Sequence, residues 1–300
     1  MSTFTLRRAL GVAAVAGLGA TLATGSAQAV APVACGDIIT SSTALTTDLV
    51  CTGTGDALVI AADNVVLDLK GHSITGPGAG PSEGAGIRAA ERTGVTITNG
   101  TVSGFETGVV VDTSHFTTVS KVSAHHNIRG INIANGDNLL VTKNTVWANE
   151  GDAIRVGGSD ASVVTQNVAT DNVFGIYVAD FAGTVSVTRN VVTGTHNAGL
   201  AVFSGTTGIT LSQNTVSSGW ADGINVAADS TSTLVGQNTV TLNGGDGIDA
   251  AGTTTLAQNL ATWNGQLGIR ATSDVTDGGG NKAAGNGDLA QCLGVVCSAP

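Results

Sequence analysis

The sequence predicts an all-β chain wound into a solenoid of about ten stacked coils, each about 22 residues long. Three observations support this prediction. Asparagine recurs at a nearly constant interval, and a pair made of a small and an aliphatic residue recurs in phase with it. The composition also favours short strands and tight turns, because glycine occurs 43 times and charged residues make up only 11% of the chain.

The first repeating feature is an asparagine followed by small or β-branched residues. From Asn144 onward the intervals are 23, 23, 24, 24, 21 and 22 residues. Asparagine tolerates the left-handed backbone conformation of turns, and stacked asparagine amides can bond to one another. We therefore expect a structural asparagine ladder, which comprises Asn144, Asn167, Asn190, Asn214, Asn238 and Asn259. A second asparagine series occurs in most coils, between the asparagine of the first series and the pair made of a small and an aliphatic residue. Its members are Asn127, Asn149, Asn172, Asn197, Asn243, Asn264 and Asn286.

The second repeating feature is a small residue followed by an aliphatic one, as in Gly130-Ile131 and Gly223-Ile224. Strands this short cannot bury an apolar face alone, so successive coils must stack as parallel strands about 4.8 Å apart. The architecture predicted is a single-stranded, right-handed parallel β-helix. Leucine-rich repeats have a similar period, but the leucine ladder that they require is missing.

The chain begins with a segment typical of a cleavable signal peptide, which we assign to residues 1–29. Arg7 and Arg8 precede an apolar run that ends at Ala27-Gln28-Ala29. We expect secretion, and we favour the general secretory route over the twin-arginine route because Leu6 precedes the arginines. Cleavage removes two of 12 basic residues and none of 22 acidic ones, which leaves a net charge of −12. This charge disfavours nucleic acid as a partner, no later segment suits a membrane span, and we expect a monomer.

The four cysteines lie at the two ends of the predicted solenoid, where exposed strand edges need caps. Residues 30–56 form the expected N-terminal cap, residues 57–288 the β-helix, and residues 289–300 the C-terminal cap. Ten coils separate the ends by more than about 40 Å, whereas a disulfide needs Cα atoms within about 7 Å. We therefore predict the disulfides Cys35–Cys51 and Cys292–Cys297. A metal site is the alternative, but the spacings and the lack of histidine partners disfavour it.

One segment near the N-terminus carries a family resemblance. The sequence VVLDLKGHSITG, residues 65–76, follows DALVIAADN and resembles the first coil of the pectate-lyase-like β-helix superfamily. It is especially similar to carbohydrate-binding and sugar-hydrolysis β-helix domains and to secreted actinobacterial right-handed β-helix proteins. The resemblance covers about Cys35 to Cys297. It implies interaction with an extracellular polysaccharide or cell-surface glycan, and action on polyuronide chains along an outer groove.

In relatives that process polyuronides, the catalytic residues lie on the strand equivalent to the Gly-Ile series. Because side chains alternate along a strand, the residue after each aliphatic one should point outward. This predicts an outward column formed by Arg88, Val110, Asn132, Arg155, Tyr177, Ala201, Asn225, Asp249 and Arg270. The catalytic candidates are His126, Arg129, Glu150, Asp152, Arg155 and Tyr177, and the substrate-binding candidates are Asn132, Asp180, Asn225, Asp249 and Arg270.

These side chains suggest proton transfer by a base, binding of a uronate carboxylate by arginine, and stacking of a sugar on Tyr177. No cofactor is required by a motif, and Ca²⁺ is the ion that the acidic groups would bind. The paired-carboxylate motifs of polygalacturonases are absent, so an enzyme of this sequence would be a lyase or an epimerase. The epimerase signature Tyr-Gly-Phe-Asp-Pro-His is also absent, and FGIYVAD, residues 174–180, replaces it.

Two non-catalytic alternatives stay open. The charged residues can simply be the solvated face of a structural or surface-associated β-helix, and Asp249 and Arg270 can pair as a surface salt bridge of little weight. The protein can also bind a glycan without acting on it. Against that alternative, Trp147, Trp220 and Trp263 follow or precede asparagine positions, and the sequence does not predict that they form one outward stripe.

Overall fold

A computed structural model describes residues 32–78, 84–203 and 205–300 of the protein, and the signal peptide predicted over residues 1–29 lies outside this range. Throughout the described residues the regular structure is β-strand, and no helix occurs. In the same part of the chain there is consequently no helix long and apolar enough to cross a membrane.

The strands are numbered in chain order. The first eleven are β1 (Asp37–Ile39), β2 (Thr43–Ala44), β3 (Leu49–Val50), β4 (Leu58–Ile60), β5 (Val66–Asp68), β6 (Ser73–Thr75), β7 (Ala85–Ala90), β8 (Thr96–Ser103), β9 (Thr107–Asp112), β10 (Thr118–His125) and β11 (Arg129–Ala134). The next eleven are β12 (Leu140–Thr142), β13 (Thr145–Trp147), β14 (Asp152–Gly157), β15 (Val163–Thr165), β16 (Val168–Thr170), β17 (Phe174–Ala179), β18 (Ser186–Thr188), β19 (Val191–Thr193), β20 (Leu200–Val202), β21 (Thr210–Ser212) and β22 (Thr215–Ser217). The last eleven are β23 (Ile224–Val226), β24 (Thr233–Gly236), β25 (Thr239–Thr241), β26 (Ile248–Ala250), β27 (Thr254–Ala257), β28 (Leu260–Thr262), β29 (Ile269–Ala271), β30 (Thr276–Asp277), β31 (Asn281–Ala284), β32 (Cys292–Leu293) and β33 (Cys297–Ser298).

These strands form three parallel sheets that run the length of the solenoid. Sheet A contains the twelve strands β1, β4, β7, β9, β11, β14, β17, β20, β23, β26, β29 and β32. Sheet B contains β2, β5, β12, β15, β18, β21, β24, β27 and β30, and sheet C contains β3, β6, β13, β16, β19, β22, β25, β28, β31 and β33. The long strands β8 and β10 cross from sheet B into sheet C. The predicted fold class is confirmed, and about ten predicted coils is close to the number observed.

The interior consists of aliphatic columns, one from each inward position of the three sheets. In sheet A, Ile131, Ile154 and Ile176 are fully buried and lie in register on successive strands. Sheets B and C contribute equivalent columns, for example through Val141 and Val146. Because each residue packs on its counterpart in the next coil, a regular repeat is enough to build one continuous core.

Two asparagine ladders lie between the sheets. In the first, the Nδ2 of Asn167 donates to Oδ1 of Asn190 (3.0 Å) and to the Val141 carbonyl (2.9 Å). Its backbone N–H donates to the same Asn190 oxygen. Loss of one such buried amide leaves unpaired groups that cost about 1–3 kcal/mol each. The second ladder is interrupted, because Thr195 occupies the expected position while Asn197 lies two residues further on and accepts a bond from the Ala198 N–H.

The two ends are closed by disulfides with the pairing that the sequence predicts. Cys35 is bonded to Cys51, with Cα atoms 5.6 Å apart, and Cys292 is bonded to Cys297, with Cα atoms 6.2 Å apart. No cysteine of the described residues is free. Disulfides of this kind persist in oxidising compartments, so they indicate a protein that functions outside the cytoplasm.

Candidate functional site

The outer face of sheet A carries the column predicted from the sequence. Strand register aligns its members one coil apart, as in the series Asn132, Arg155 and Tyr177. The same register continues from Ala201 through Asn225, Asp249 and Arg270. The geometry of this column therefore follows from the repeat, but its members do not form one continuous site.

Arg155 lies at the centre of the first group of polar side chains. Its guanidinium donates to Asp180 Oδ2, and its Nη1 lies 3.6 Å from Asp152 Oδ2. Its Cζ also lies 5.0 Å from the centroid of the Tyr177 ring, a cation–π contact. Burial raises the pKa of Asp152 above that of an ordinary aspartate, and this effect is partly offset by the charges of Arg155 and Arg129.

Tyr177 is the middle ring of a group of three aromatic side chains, which we call the aromatic platform. Its ring centroid lies 5.2 Å from that of Phe174 and 5.7 Å from that of Phe203. Ala201 lies in register beside Tyr177 and is buried although it points outward, which is consistent with the rings covering it. Phe174 and Phe203 were missed in the sequence because they lie outside the predicted column. The available signal was their position in the chain: Phe174 begins the strand that contains Tyr177, and Phe203 directly follows the next strand of sheet A.

A second polar group lies toward the N-terminus on the same face. Arg129 pairs with Glu106 at 3.6 Å, and Arg88 makes two hydrogen bonds to Asp56. The side-chain oxygen of Asn132 is buried and has no hydrogen-bond partner among the described residues. Each arginine in this group thus already has a carboxylate partner, so an anionic ligand would have to compete with it.

The structure separates two of the predicted catalytic residues from Arg155. His126 and Glu150 line a groove around the corner of the solenoid, together with Gly76 and Pro77. Nδ1 of His126 lies 2.9 Å from Nδ1 of His125, whose ring stacks on another aromatic side chain of that corner. His126 faces this groove, and its role as a base stays a prediction.

The candidate residues toward the C-terminus form a separate cluster. Asp246 is buried and accepts hydrogen bonds from the Leu267 N–H and from Arg270 Nε. The salt bridge between Asp249 and Arg270, which the sequence left open as an alternative, is not formed, because Arg270 bonds to Asp246 instead. Burial, together with the neighbouring charges of two other aspartates, raises the pKa of Asp249.

Asn225 and Asp222 complete this cluster through one bond within a coil and one bond between coils. Asn225 Nδ2 donates to Asp222 Oδ2 (3.1 Å), and the other carboxylate oxygen of Asp222 accepts the N–H of Asp246 (2.8 Å). The carboxylates of Asp222 and Asp246 therefore connect neighbouring coils. Such a role is structural and does not require a ligand.

Metal binding has little support in this set of side chains. Across residues 32–78, 84–203 and 205–300 there is no group of three or more His, Cys, Asp or Glu side chains that could hold a metal ion. The acidic residues suggested Ca²⁺ in the sequence, but those of the described part of the chain do not form a coordination site for it.

A family model described as "Right handed beta helix region" matches residues 56–216. This match covers more than half of the chain, and the protein therefore belongs to the right-handed β-helix family. A second model, "Periplasmic copper-binding protein (NosD)", matches residues 164–286. Copper sites use Cys, Met or His clusters, whereas the four cysteines form disulfides and Met1 is the sole methionine. The described residues do not fit a copper centre.

Several solved structures share the fold. The A-module of mannuronan C-5 epimerase AlgE4 from Azotobacter vinelandii is 17% identical with a TM-score of 0.63, over 84% of this chain and 76% of that one. The periplasmic alginate epimerase AlgG is 14% identical with a TM-score of 0.63, over 88% and 74%. The DFA-IIIase of Arthrobacter chlorophenolicus A6 is 15% identical with a TM-score of 0.53, over 83% and 73%. No curated protein matches the sequence. At these identities the likeness concerns the fold.

Proposed function

We propose that the protein is exported and binds an extracellular polysaccharide on the outer face of sheet A, at the aromatic platform beside Arg155. The observation that carries this proposal is the grouping of Phe174 and Phe203 about Tyr177, whose ring contacts the Arg155 guanidinium. Aromatic faces pack against the C–H faces of sugar rings, and a few polar groups beside them fix the orientation of a ligand. Export follows from the two disulfides and from the signal peptide expected over residues 1–29.

The ligand class that we infer is a polyuronide. Arg155 is the cation next to the aromatic platform, and a guanidinium matches the geometry of a carboxylate. When both are ionised, its two partners, Asp152 and Asp180, carry one negative charge more than Arg155, so a uronate has to displace one of them. Burial raises the pKa of Asp152, so this residue takes up a proton more readily than an ordinary aspartate, which removes one competing charge. Two fold relatives, whose names identify them as mannuronan and alginate epimerases, support the same ligand class.

A second candidate function is epimerisation or β-elimination of the bound polyuronide. Both reactions begin with removal of the proton next to the uronate carboxylate, and both need that carboxylate neutralised. Arg155 would supply the neutralising charge. The observation in favour is the buried Asp152, whose raised pKa suits a group that exchanges a proton. His126, the base that the sequence suggests, lines another groove.

The experiment that tests the binding proposal compares two arginine variants. Binding of the mature protein to alginate, to polygalacturonate and to a neutral glucan is measured by calorimetry, with and without Ca²⁺. We expect binding of a polyuronide, and a loss of at least tenfold in affinity for Arg155→Ala. The matched control is Arg189→Ala, which removes the same charge from an exposed arginine bonded to Gln213 on another surface.

The result separates the alternatives. Unsaturated products that absorb in the ultraviolet would establish a lyase, and exchange of solvent deuterium into the polymer would establish an epimerase. Polyuronide binding without either signal supports a binding protein. If no polysaccharide binds, or if the two arginine variants lose affinity equally, the platform is not a glycan site and a structural role is favoured.

A further inference from the structure

One corner of the solenoid carries every tryptophan of the protein. This corner is the turn that connects each strand of sheet C to the next strand of sheet A. Trp147 ends β13, while Trp220 and Trp263 lie in the turns after β22 and β28. The sequence contains three tryptophans in all. They therefore share one edge of the fold, which we call the tryptophan corner, but they occupy different positions within the coil, as the sequence indicates.

The three indoles are exposed and yet held in place by a neighbouring coil. Their exposed fractions are 36% for Trp147, 74% for Trp220 and 65% for Trp263. Trp147 stacks on His125 with centroids 4.3 Å apart, and Trp220 meets His196 edge-on at 4.7 Å. Exposed apolar surface of this kind marks interaction sites in soluble proteins.

Trp263 is positioned by a glycine of the following coil. Gly285 has a φ of +70°, and a Cβ added there would lie 2.7–2.9 Å from three atoms of the Trp263 ring. The ring therefore rests against the bare backbone of Gly285, and its other surface faces solvent. An indole held flat in this way presents its face to a ligand without first losing rotamer freedom.

The spacing of the indoles follows the coil spacing. Strands β22 and β28 are two coils apart, and β13 and β22 are three coils apart. At about 4.8 Å per coil, the tryptophans lie at levels about 14 Å and about 10 Å apart. An extended chain of β-linked pyranose rings advances by about one coil spacing per sugar. Along the axis of the solenoid, the levels of the three indoles therefore match sugars of one extended chain, although strand register aligns Trp147 with Thr262 and not with Trp263.

The charges of the corner indicate an uncharged ligand. The turn segments 148–151, 171–173, 194–199, 218–223, 242–247 and 263–268 contain no lysine or arginine. Three of their acidic residues, Glu150, Asp171 and Asp222, are not buried and would repel a polyuronide. The outer face of sheet A differs in this respect, because Arg155 lies beside its aromatic platform.

We propose that the tryptophan corner is a second glycan-binding site, which takes a neutral, extended, β-linked polysaccharide. The rings of Trp220 and Trp263 stack on alternate sugars of one chain, and Trp147 extends the contact by three coils. The site is separate from the aromatic platform, so the protein can hold a neutral chain on one surface and an acidic chain on another.

The test uses the tryptophan fluorescence of the mature protein, which reports on this corner because no tryptophan lies elsewhere. Cellohexaose and N-acetylchitohexaose are the neutral probes, and an alginate hexasaccharide is the acidic one. We expect a saturable fluorescence change with at least one neutral probe and none with the alginate probe. We also expect a loss of at least tenfold in neutral-probe affinity, measured by calorimetry, for the double variant Trp220→Ala, Trp263→Ala.

The matched control is Phe116→Ala, which removes another exposed aromatic ring at a residue of positive φ on a different turn. Its affinity for the neutral probe should equal that of the parent protein. The proposal is overturned if neither neutral probe binds, if the double variant binds as the parent does, or if the corner proves to mediate self-association in sedimentation instead. Alginate binding through Arg155 is measured separately, so the proposal for one site can be contradicted while the proposal for the other is supported.

Discussion

Asp152 and Asp246 occupy the same place in two different coils, and the comparison shows which region of sheet A is structural. Each aspartate lies two residues before an inward isoleucine of its sheet A strand, Ile154 and Ile248 respectively. Both are buried, with 9% and 3% of their surfaces exposed. Their surroundings nevertheless differ in the bonds that stabilise the carboxylate.

Hydrogen bonds fully compensate the burial of the Asp246 carboxylate, whereas the burial of the Asp152 carboxylate is only partly compensated. One oxygen of Asp246 accepts the Leu267 N–H at 2.8 Å and the other accepts Arg270 Nε, so this carboxylate connects two coils. Asp152 has Arg155 at 3.6 Å, and no backbone N–H of the described residues donates to it. A buried carboxylate with incomplete compensation has a raised pKa and reduces stability, and such groups concentrate at functional sites. This contrast is one reason why we propose the binding site beside Asp152.

The largest effect that we predict tests this contrast through stability. Asp246→Ala should lower the free energy of unfolding by about 3 kcal/mol, because it leaves the Leu267 N–H and Arg270 unpaired. Asp152→Ala should cost less than about 1 kcal/mol, since Arg155 keeps its bond to Asp180. Both values are obtained from urea denaturation followed by circular dichroism. Equal losses in the two variants would contradict the assignment of a structural role to Asp246 alone.

The sequence was sufficient to predict what the repeat determines. The asparagine ladder, the inward aliphatic columns and the members of the outward column all depend on position within a coil, and position can be counted. The second ladder is interrupted at Thr195 and at Gly219. The count reveals the second gap, because the series steps from Asn197 to Asn243, but not the first, because Asn197 in the same turn keeps the count plausible.

The partners of the outward side chains could not be predicted in the same manner. Arg270 is in register with Asp249 but bonds to Asp246, because a long side chain reaches positions that strand register does not specify. The grouping of Phe174 and Phe203 around Tyr177 likewise depends on side-chain direction across strands. The fold was therefore more predictable than the site.

A smaller effect is expected in the pH dependence of polyuronide binding. A raised pKa means that Asp152 takes up a proton at a higher pH than an ordinary aspartate, so its competing charge disappears first as the solution is acidified. We expect affinity for polygalacturonate to increase on acidification, beginning at a higher pH than the titration of an ordinary aspartate would give. Asp152→Asn should bind about tenfold more tightly at pH 7 and lose most of this dependence, a change worth about 1.4 kcal/mol.

The control for this experiment is Asp274→Asn, which removes an exposed carboxylate far along the chain from Arg155. It should keep the pH dependence of the parent protein. A pH profile that is unchanged in Asp152→Asn, or binding that weakens on acidification, would show that Asp152 does not compete with the ligand for Arg155.

The smallest effect concerns the two asparagines of the outward column. Asn225 Nδ2 donates to Asp222, whereas the buried oxygen of Asn132 has no partner among the described residues. An unpaired buried acceptor costs stability, so Asn132→Val should leave the free energy of unfolding unchanged or raise it by up to about 1 kcal/mol. Asn225→Val should lower it by about 0.5–1 kcal/mol, because it removes a bond to a carboxylate. A clear loss of stability in Asn132→Val, measured in the same urea titration, would mean that this oxygen accepts a hydrogen bond in solution. The side chains of Asn132 and Asn225 would then both be hydrogen-bonded, and the two regions would not differ in this respect.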